Sequence, residues 1–162
     1  MIMAENITIS LAAEKDIEAI SQIAHKISLY HYENLKSVFK KREYETDREY
    51  IVKTIREGKS LVIKAEIEMN VICGYAVLGT KTLFEKVFVE KVVGVIDDLG
   101  VDEKYRKKGV ASKLLKFAEN HFKNQGINVI GLNCYTFNTS ANSFYDKMGY
   151  ENVKVYKEKR IK

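Results

Sequence analysis

Residues Val92 to Val101 form an apolar run that ends at a basic turn, Asp102-Glu103-Lys104-Tyr105-Arg106-Lys107-Lys108-Gly109. An amphipathic stretch, Val110 to Phe122, follows at once, with Val110, Leu114, Phe117, Ala118, His121 and Phe122 at helical spacing. Gly126 stops that stretch, and Ile127 to Tyr135 is again apolar and β-branched. Strand, helix and strand in this order need a crossover, and a right-handed crossover sets the two strands parallel. This one unit places the chain among α/β folds. Its turn presents free backbone N–H groups at a helix N-terminus, a physical site for phosphate. Lys104, Arg106, Lys107 and Lys108 surround it.

The remaining elements follow from periodicity. Asn6 to Leu11 alternates as a first strand, and Ala13 to Tyr30 carries Ile17, Ile20, Ile23, Ala24 and Ile27 at helical spacing. Leu35 to Glu45 is polar, basic and aromatic, and reads as irregular. Asp47 to Glu57 is a second helix closed by Gly58. Ser60 to Glu66, Val71 to Thr80 and Lys86 to Val101 read as three strands, with a turn at Asn70. Beyond Tyr135, Asn138 or Thr139 caps a short helix with Ala141, Phe144, Tyr145 and Met148 on one face, closed by Gly149. Tyr150 to Tyr156 alternates as a last strand, and Lys157 to Lys162 reads as a solvated tail. The order is β-α-α-β-β-β-α-β-α-β. With no linker or repeat, residues 1–162 are expected to form one domain.

Charge and cysteine usage exclude several classes. The net charge of +5 comes from lysines spread along the chain, which suits a small anionic ligand without demanding nucleic acid. No apolar run approaches the ~20 residues of a membrane helix, and the start shows no secretory pattern. Cys73 and Cys134 lack a metal-ligand spacing and read as reduced thiols. A cytoplasmic protein with no metal and no membrane partner is expected.

Two motifs then combine. Arg106-Lys107-Lys108-Gly109-Val110-Ala111 resembles the R-x-x-G-x-[GA] signature of the GNAT superfamily of acyl-CoA-dependent N-acyltransferases. About 30 residues on, Asn138 to Tyr150 resembles that family's N-x-x-A-x-x-F-Y-x-x-x-G-[FY] signature. The resemblance is residue-level from Val92 to Tyr150 and rests on element order before that. It implies a mixed α/β sheet of six to seven strands with about four flanking helices, and parallel strands four and five that splay apart. It implies acetyl-CoA as acyl donor, a pyrophosphate held by amides from Lys107 to Ser112, and a close approach at Gly109 and Ala111. Arg106, Lys108 and Val110 belong to the same turn. Leu99 and Val101 would pair with the pantetheine arm, and Asn138 would hydrogen-bond near it. Gly100 departs from the family, where a bulky residue is frequent; it eases a bulge or widens the acyl pocket. No Walker motif is present, so nucleotide hydrolysis is disfavoured.

Acetyl transfer to an amine needs a proton acceptor for the amine and a proton donor for the thiolate. By spacing alone Tyr145 is a core residue beside Phe144 and Met148. The resemblance implies instead that it protonates the thiolate, and a phenol with a pKa of ~10 suits that task. Asp97 and Asp98 interrupt an apolar strand. In a regular strand only one of them faces a given cleft. Asp97 is taken as the carboxylate that orients the amine and receives its proton through water; a structural hydrogen bond from Asp98, or a surface role for both, stays open. Asn133 stands where some family members carry a catalytic Glu. His31 lies where the family builds its acceptor wall; His121 reads as a packing or semi-exposed residue, and His25 sits on the first helix without a partner spacing.

The acceptor is expected to be a primary amine on a small metabolite, a polyamine-like compound or a protein. The Asp pair favours a cation, whereas Lys36, Lys40, Lys41 and Arg42 near the same wall oppose it. A homodimer is compatible with the terminal strands. Two rival readings remain: a non-catalytic acyl-CoA-binding sensor or scaffold, and an RNA-directed acetyltransferase.

Overall fold

The computed structural model describes residues 6–83, 89, 91–159 and 161. Five strands, β1 (Thr8–Leu11), β2 (Leu61–Ile67), β3 (Val71–Leu83), β4 (Lys91–Val101) and β5 (Ile130–Leu132), form one sheet in that order. The first four pair antiparallel, and β4 pairs with β5 in parallel. Four helices flank it: α1 (Ile17–Asn34), α2 (Tyr44–Glu57), α3 (Val110–Asn124) and α4 (Thr139–Lys147).

The sheet is covered on both faces. Ala76, Leu78 and Ile96 meet Val110, Leu114, Leu115, Ala118 and Phe122 of α3, with Phe144 and Tyr145 of α4 at the margin. Tyr75 and Val77 meet Ile17, Ile20, Ile23 and Ala24 of α1 and Ile51 of α2. The period of two along β3 therefore sends residues 75 and 77 to the α1/α2 face and residues 76 and 78 to the α3/α4 face. Burial on both sides is why Val71 to Thr80 lacks a polar alternation.

The helix count and the mixed sheet match the sequence reading, but the strand count does not. Among the described residues the sheet has five strands, not six or seven. The last expected strand, Tyr150 to Tyr156, is not a strand: residues 151–159 are exposed, with Val153 97% accessible. Its period-two pattern needs a partner edge, and β5 spans only three residues rather than Ile127 to Tyr135. The chain shortens β5 at its start by turning back on α3, where the Ile127 amide bonds to Phe122 O at 3.0 Å. Of the expected strand Lys86 to Val101, residues 86–88 and 90 lie outside the described residues; β4 begins at Lys91.

Gly94 makes the α3 contact possible. A Cβ there would lie 2.6 Å from ring atoms of Phe122, so the helix rests directly on the strand backbone. Gly94→Ala is expected to destabilise the fold by about 2 kcal/mol through overpacking. Gly131→Ala, where a Cβ meets nothing within 4 Å, is expected to change stability by less than about 0.5 kcal/mol. Urea unfolding of the two variants checks this contrast.

Candidate active site

The site begins where β4 loses its parallel partner. Pairing with β5 covers Gly94 to Ile96 only, while β4 runs on to Val101. Leu99 and Val101 thus sit on a stretch of strand without a β5 neighbour. A cleft of about 450 Å³ opens there. Leu99, Val101, Arg106, Lys107, Gly109, Val110, Ala111, Ser112, Asn138 and Tyr145 all line it. Ile27 and Tyr30 of α1, Tyr105 before the turn, and Ser140, Ala141 and Phe144 of α4 complete the wall.

Two expected residues lie elsewhere. Lys108 is not among the lining residues; its ammonium lies 5.4 Å from the Tyr105 ring centroid, a cation–π contact. Asp97 lies outside the cleft, on the opposite face of β4. Residues that sequence reading missed are Ile27 and Tyr30. Ile27 belongs to the apolar stripe read from the sequence, whereas Tyr30 lies at the exposed end of α1, and nothing in the sequence said that either bordered a cleft.

At one end of the cleft the chain turns through left-handed residues Lys107 (φ 60°) and Gly109 (φ 84°) into α3. Such backbone forms concavities of N–H groups that take anions. The Lys113 amide bonds to Gly109 O at 3.1 Å where α3 begins. Lys104, Arg106 and Lys107 add positive charge around this turn. Asn138, which also lines the cleft, is the N-cap of α4, its Oδ1 accepting from the Ala141 amide at 3.2 Å.

Tyr145 lies on the cleft wall between Phe144 and Tyr150, with ring centroids 5.4 and 5.6 Å away. Burial pushes its phenol up to about 12, and the neighbouring ionisable groups of Cys134, Tyr150 and Asp98 add to the rise. It therefore stays protonated throughout the neutral range and can donate.

A bulge decides the geometry of the two aspartates. Val77 pairs with Asp98 and Leu78 pairs with Ile96, so Asp97 is the extra residue in β4. Both carboxylates consequently reach the α1/α2 face. Asp98 sits opposite Val77 and accepts a hydrogen bond from the buried Tyr75 hydroxyl. The Asp97 carboxylate lies over Gly79, where a Cβ would come within 2.8 Å of Oδ2. The rule that neighbours on a strand diverge fails here because the bulge resets the pleat. Burial raises both carboxyls above the ordinary range; the Tyr75 hydroxyl partly counters this at Asp98.

The bulge is at Asp97 and not at Gly100. A Cβ on Gly100 would meet Ile27 Cδ1 at 2.4 Å and Tyr75 Cε1 at 2.5 Å. The missing side chain is replaced by the Tyr75 ring and α1, so Gly100 leaves no opening on that face.

The other candidates resolve by position. His25, read from sequence as unpartnered, bonds through Nδ1 to Asp47 at 2.7 Å and ties α1 to α2. His31 packs against Phe39, Phe137 and Tyr135 at 5.2, 5.6 and 5.9 Å, and burial lowers its pKa, so it is neutral at pH 7. This ring cluster fastens the irregular segment after α1 to the β5–α4 connection. Burial raises the thiol of Cys134, and pushes that of Cys73 up to about 11, so neither is an activated nucleophile. Among the described residues no group of His, Cys, Asp or Glu is arranged to hold a metal.

The sequence pattern of the acetyltransferase (GNAT) family matches residues 24–150. The chain belongs to the GNAT acetyltransferase family. It is similar to GCN5-related N-acetyltransferase 4, chloroplastic, from Arabidopsis thaliana, with 33% identity over 63 residues. That match covers 39% of this chain and 22% of the plant protein. Among solved structures, a mutant of the BH1408 protein from Bacillus halodurans shares the fold at a TM-score of 0.89 and 22% identity, covering 95% of this chain and 99% of that one. The aminoglycoside N-acetyltransferase AAC(6')-Iy, solved in complex with CoA, superposes at 0.74 with 14% identity, covering 96% of this chain and 95% of that one. No helix among the described residues of this GNAT enzyme is long and apolar enough to cross a membrane.

Proposed function

We propose that this GNAT enzyme binds acetyl-CoA in the cleft and moves the acetyl group directly to a cationic primary amine on a small molecule. The reading rests on one observation above all. The end of β4 beyond its β5 pairing, the left-handed turn at Lys107 and Gly109, and Tyr145 all line one cleft, which supports a donor held there. The amides from Lys107 to Ser112 hold the pyrophosphate, with the Arg106 side chain beside them. Leu99 and Val101 pair with the pantetheine as a strand would, and Asn138 flanks it. CoA in the complex of AAC(6')-Iy supports the donor assignment by analogy of fold. The chain acts as one domain in the cytoplasm.

The amine approaches from the α1/α2 face, where Asp97 orients it and takes its proton through water. It attacks the thioester carbonyl, the C–S bond breaks, and Tyr145 gives its proton to the departing thiolate. Two of the basic residues that seemed to oppose a cationic acceptor are already paired: Arg42 with Asp47 at 3.0 Å and Lys36 with Glu33 at 3.0 Å. The carboxylates Asp97 and Asp98 therefore dominate that face.

Free-thiol release across polyamines, amino acids, aminoglycosides and N-terminal peptides tests the reading. Turnover is expected with at least one cationic amine. Tight coenzyme A binding with no turnover on any acceptor would favour the non-catalytic sensor. The pH dependence carries a further expectation. A base with a raised carboxyl pKa is lost as pH falls, so kcat/KM should drop on the acid side, above the ordinary carboxylate range. Asp97→Asn should remove that acid limb and lower kcat/KM at least tenfold.

A further inference from the structure

We infer that Asp102 is a positioning residue for coenzyme A, acting through the backbone between Val101 and Arg106 and braced by Lys26 of α1. This inference rests on the coenzyme A reading of the cleft. Asp102 lies between two stretches that would grip different parts of the cofactor: Val101 the pantetheine, and Arg106 to Ser112 the pyrophosphate. Whatever fixes this short connection fixes their spacing.

Asp102 fixes it with four bonds. Its amide donates to Cys73 O at 2.9 Å, which holds it to β3. Its carbonyl accepts from the Tyr105 amide at 2.9 Å. Its Oδ1 accepts from the Lys104 amide at 3.1 Å, capping the 3-10 turn Glu103–Tyr105. Its Oδ2 accepts from Lys26 Nζ at 2.8 Å. Arg106 closes the loop by donating from Nε to Val101 O at 3.4 Å.

The Lys26 bond does more than cap. It spans a second, smaller cavity of about 210 Å³ between α1 and the Val101–Arg106 segment. Ile27, Tyr30, Val101 and Arg106 line both this cavity and the main cleft. The ion pair therefore sets how far α1 stands from the phosphate turn. The Asp102 side chain is 14% exposed and that of Lys26 58%, so solvent screens the pair from the Lys26 side and its contribution is modest.

The test measures coenzyme A Kd by calorimetry, and kcat and KM by thiol release, for wild type, Asp102→Ala, Asp102→Asn and Lys26→Met. Asp102→Ala loses both side-chain bonds and should raise Kd and the acetyl-CoA KM about tenfold with kcat nearly unchanged. Asp102→Asn keeps an acceptor for the Lys104 amide and should raise Kd only about threefold, as should Lys26→Met. The double variant Asp102→Asn with Lys26→Met should be no weaker than either single one, since both remove the same pair. A merely structural role would lower the melting temperature without this split. Should Asp102→Ala fail to fold, the other two variants decide. Unchanged Kd in folded Asp102→Asn and Lys26→Met, or a fall in kcat at constant Kd, overturns the inference while leaving the coenzyme A reading intact. Wild-type protein that does not bind coenzyme A overturns both.

Discussion

Tyr145→Phe should lower kcat at least tenfold while leaving coenzyme A affinity within about twofold of wild type. The substitution removes one oxygen and keeps the ring that packs between Phe144 and Tyr150. Stability should therefore change little. The chemistry behind the expectation is the protonation of the leaving thiolate. A phenol that burial pushes up to about 12 is fully protonated at neutral pH, so the donor form needs no activation. For the same reason the wild-type profile should show no loss of activity from Tyr145 ionisation below pH ~11. Steady-state kinetics with thiol detection, paired with calorimetric binding of coenzyme A, separate the two effects. Equal turnover in Tyr145→Phe would remove the acid role and leave Tyr145 a packing residue.

Gly109→Val should cost at least tenfold in coenzyme A affinity. Gly109 sits at φ 84° as the N-cap of α3, a conformation that a β-branched residue resists. Forcing valine into it costs ~1–3 kcal/mol of backbone strain. Relaxation of that strain would turn the amides of residues 107–112 away from a shared anion, and the added methyls would stand where phosphate oxygens approach. The loss should appear in Kd and KM for acetyl-CoA with a smaller change in kcat, opposite to the Tyr145 result. Calorimetry on the folded variant checks it. Affinity equal to wild type would move the phosphate site away from this turn.

These two positions were legible in the sequence because each belongs to a local motif. Arg106 to Ala111 and Asn138 to Tyr150 carry their turn residues, caps and helical faces within a few positions, and the structure assembles both around one cleft. The helices α1 and α2 were legible for the same reason, through apolar spacing and Gly58. What the sequence hid was non-local. The bulge at Asp97 depends on register with Val77 and Leu78, some 20 residues away, and no feature of the Asp97-Asp98 pair announces it. Gly100 read as easing a bulge or widening a pocket, whereas the Tyr75 ring and Ile27 occupy the place of its side chain. His25 needed α2 to reveal Asp47 as its partner. The tail after Tyr150 shows the converse failure: an alternating pattern permits a strand but cannot supply the edge it would pair with.

Direct acetyl transfer in this cleft is tested most directly with acetyl-CoA labelled in its acetyl carbon, incubated with the enzyme and a cationic amine, with product and protein then weighed by mass spectrometry. The expected result is label in the amine as an amide, one free thiol per amide, and no label on the protein at any time. Cys73 is buried and Cys134 half-buried, and burial raises both thiols, so neither offers the acetyl group an activated thiolate. Label retained on either cysteine before the amine is added, or thiol release without amide, would contradict direct transfer.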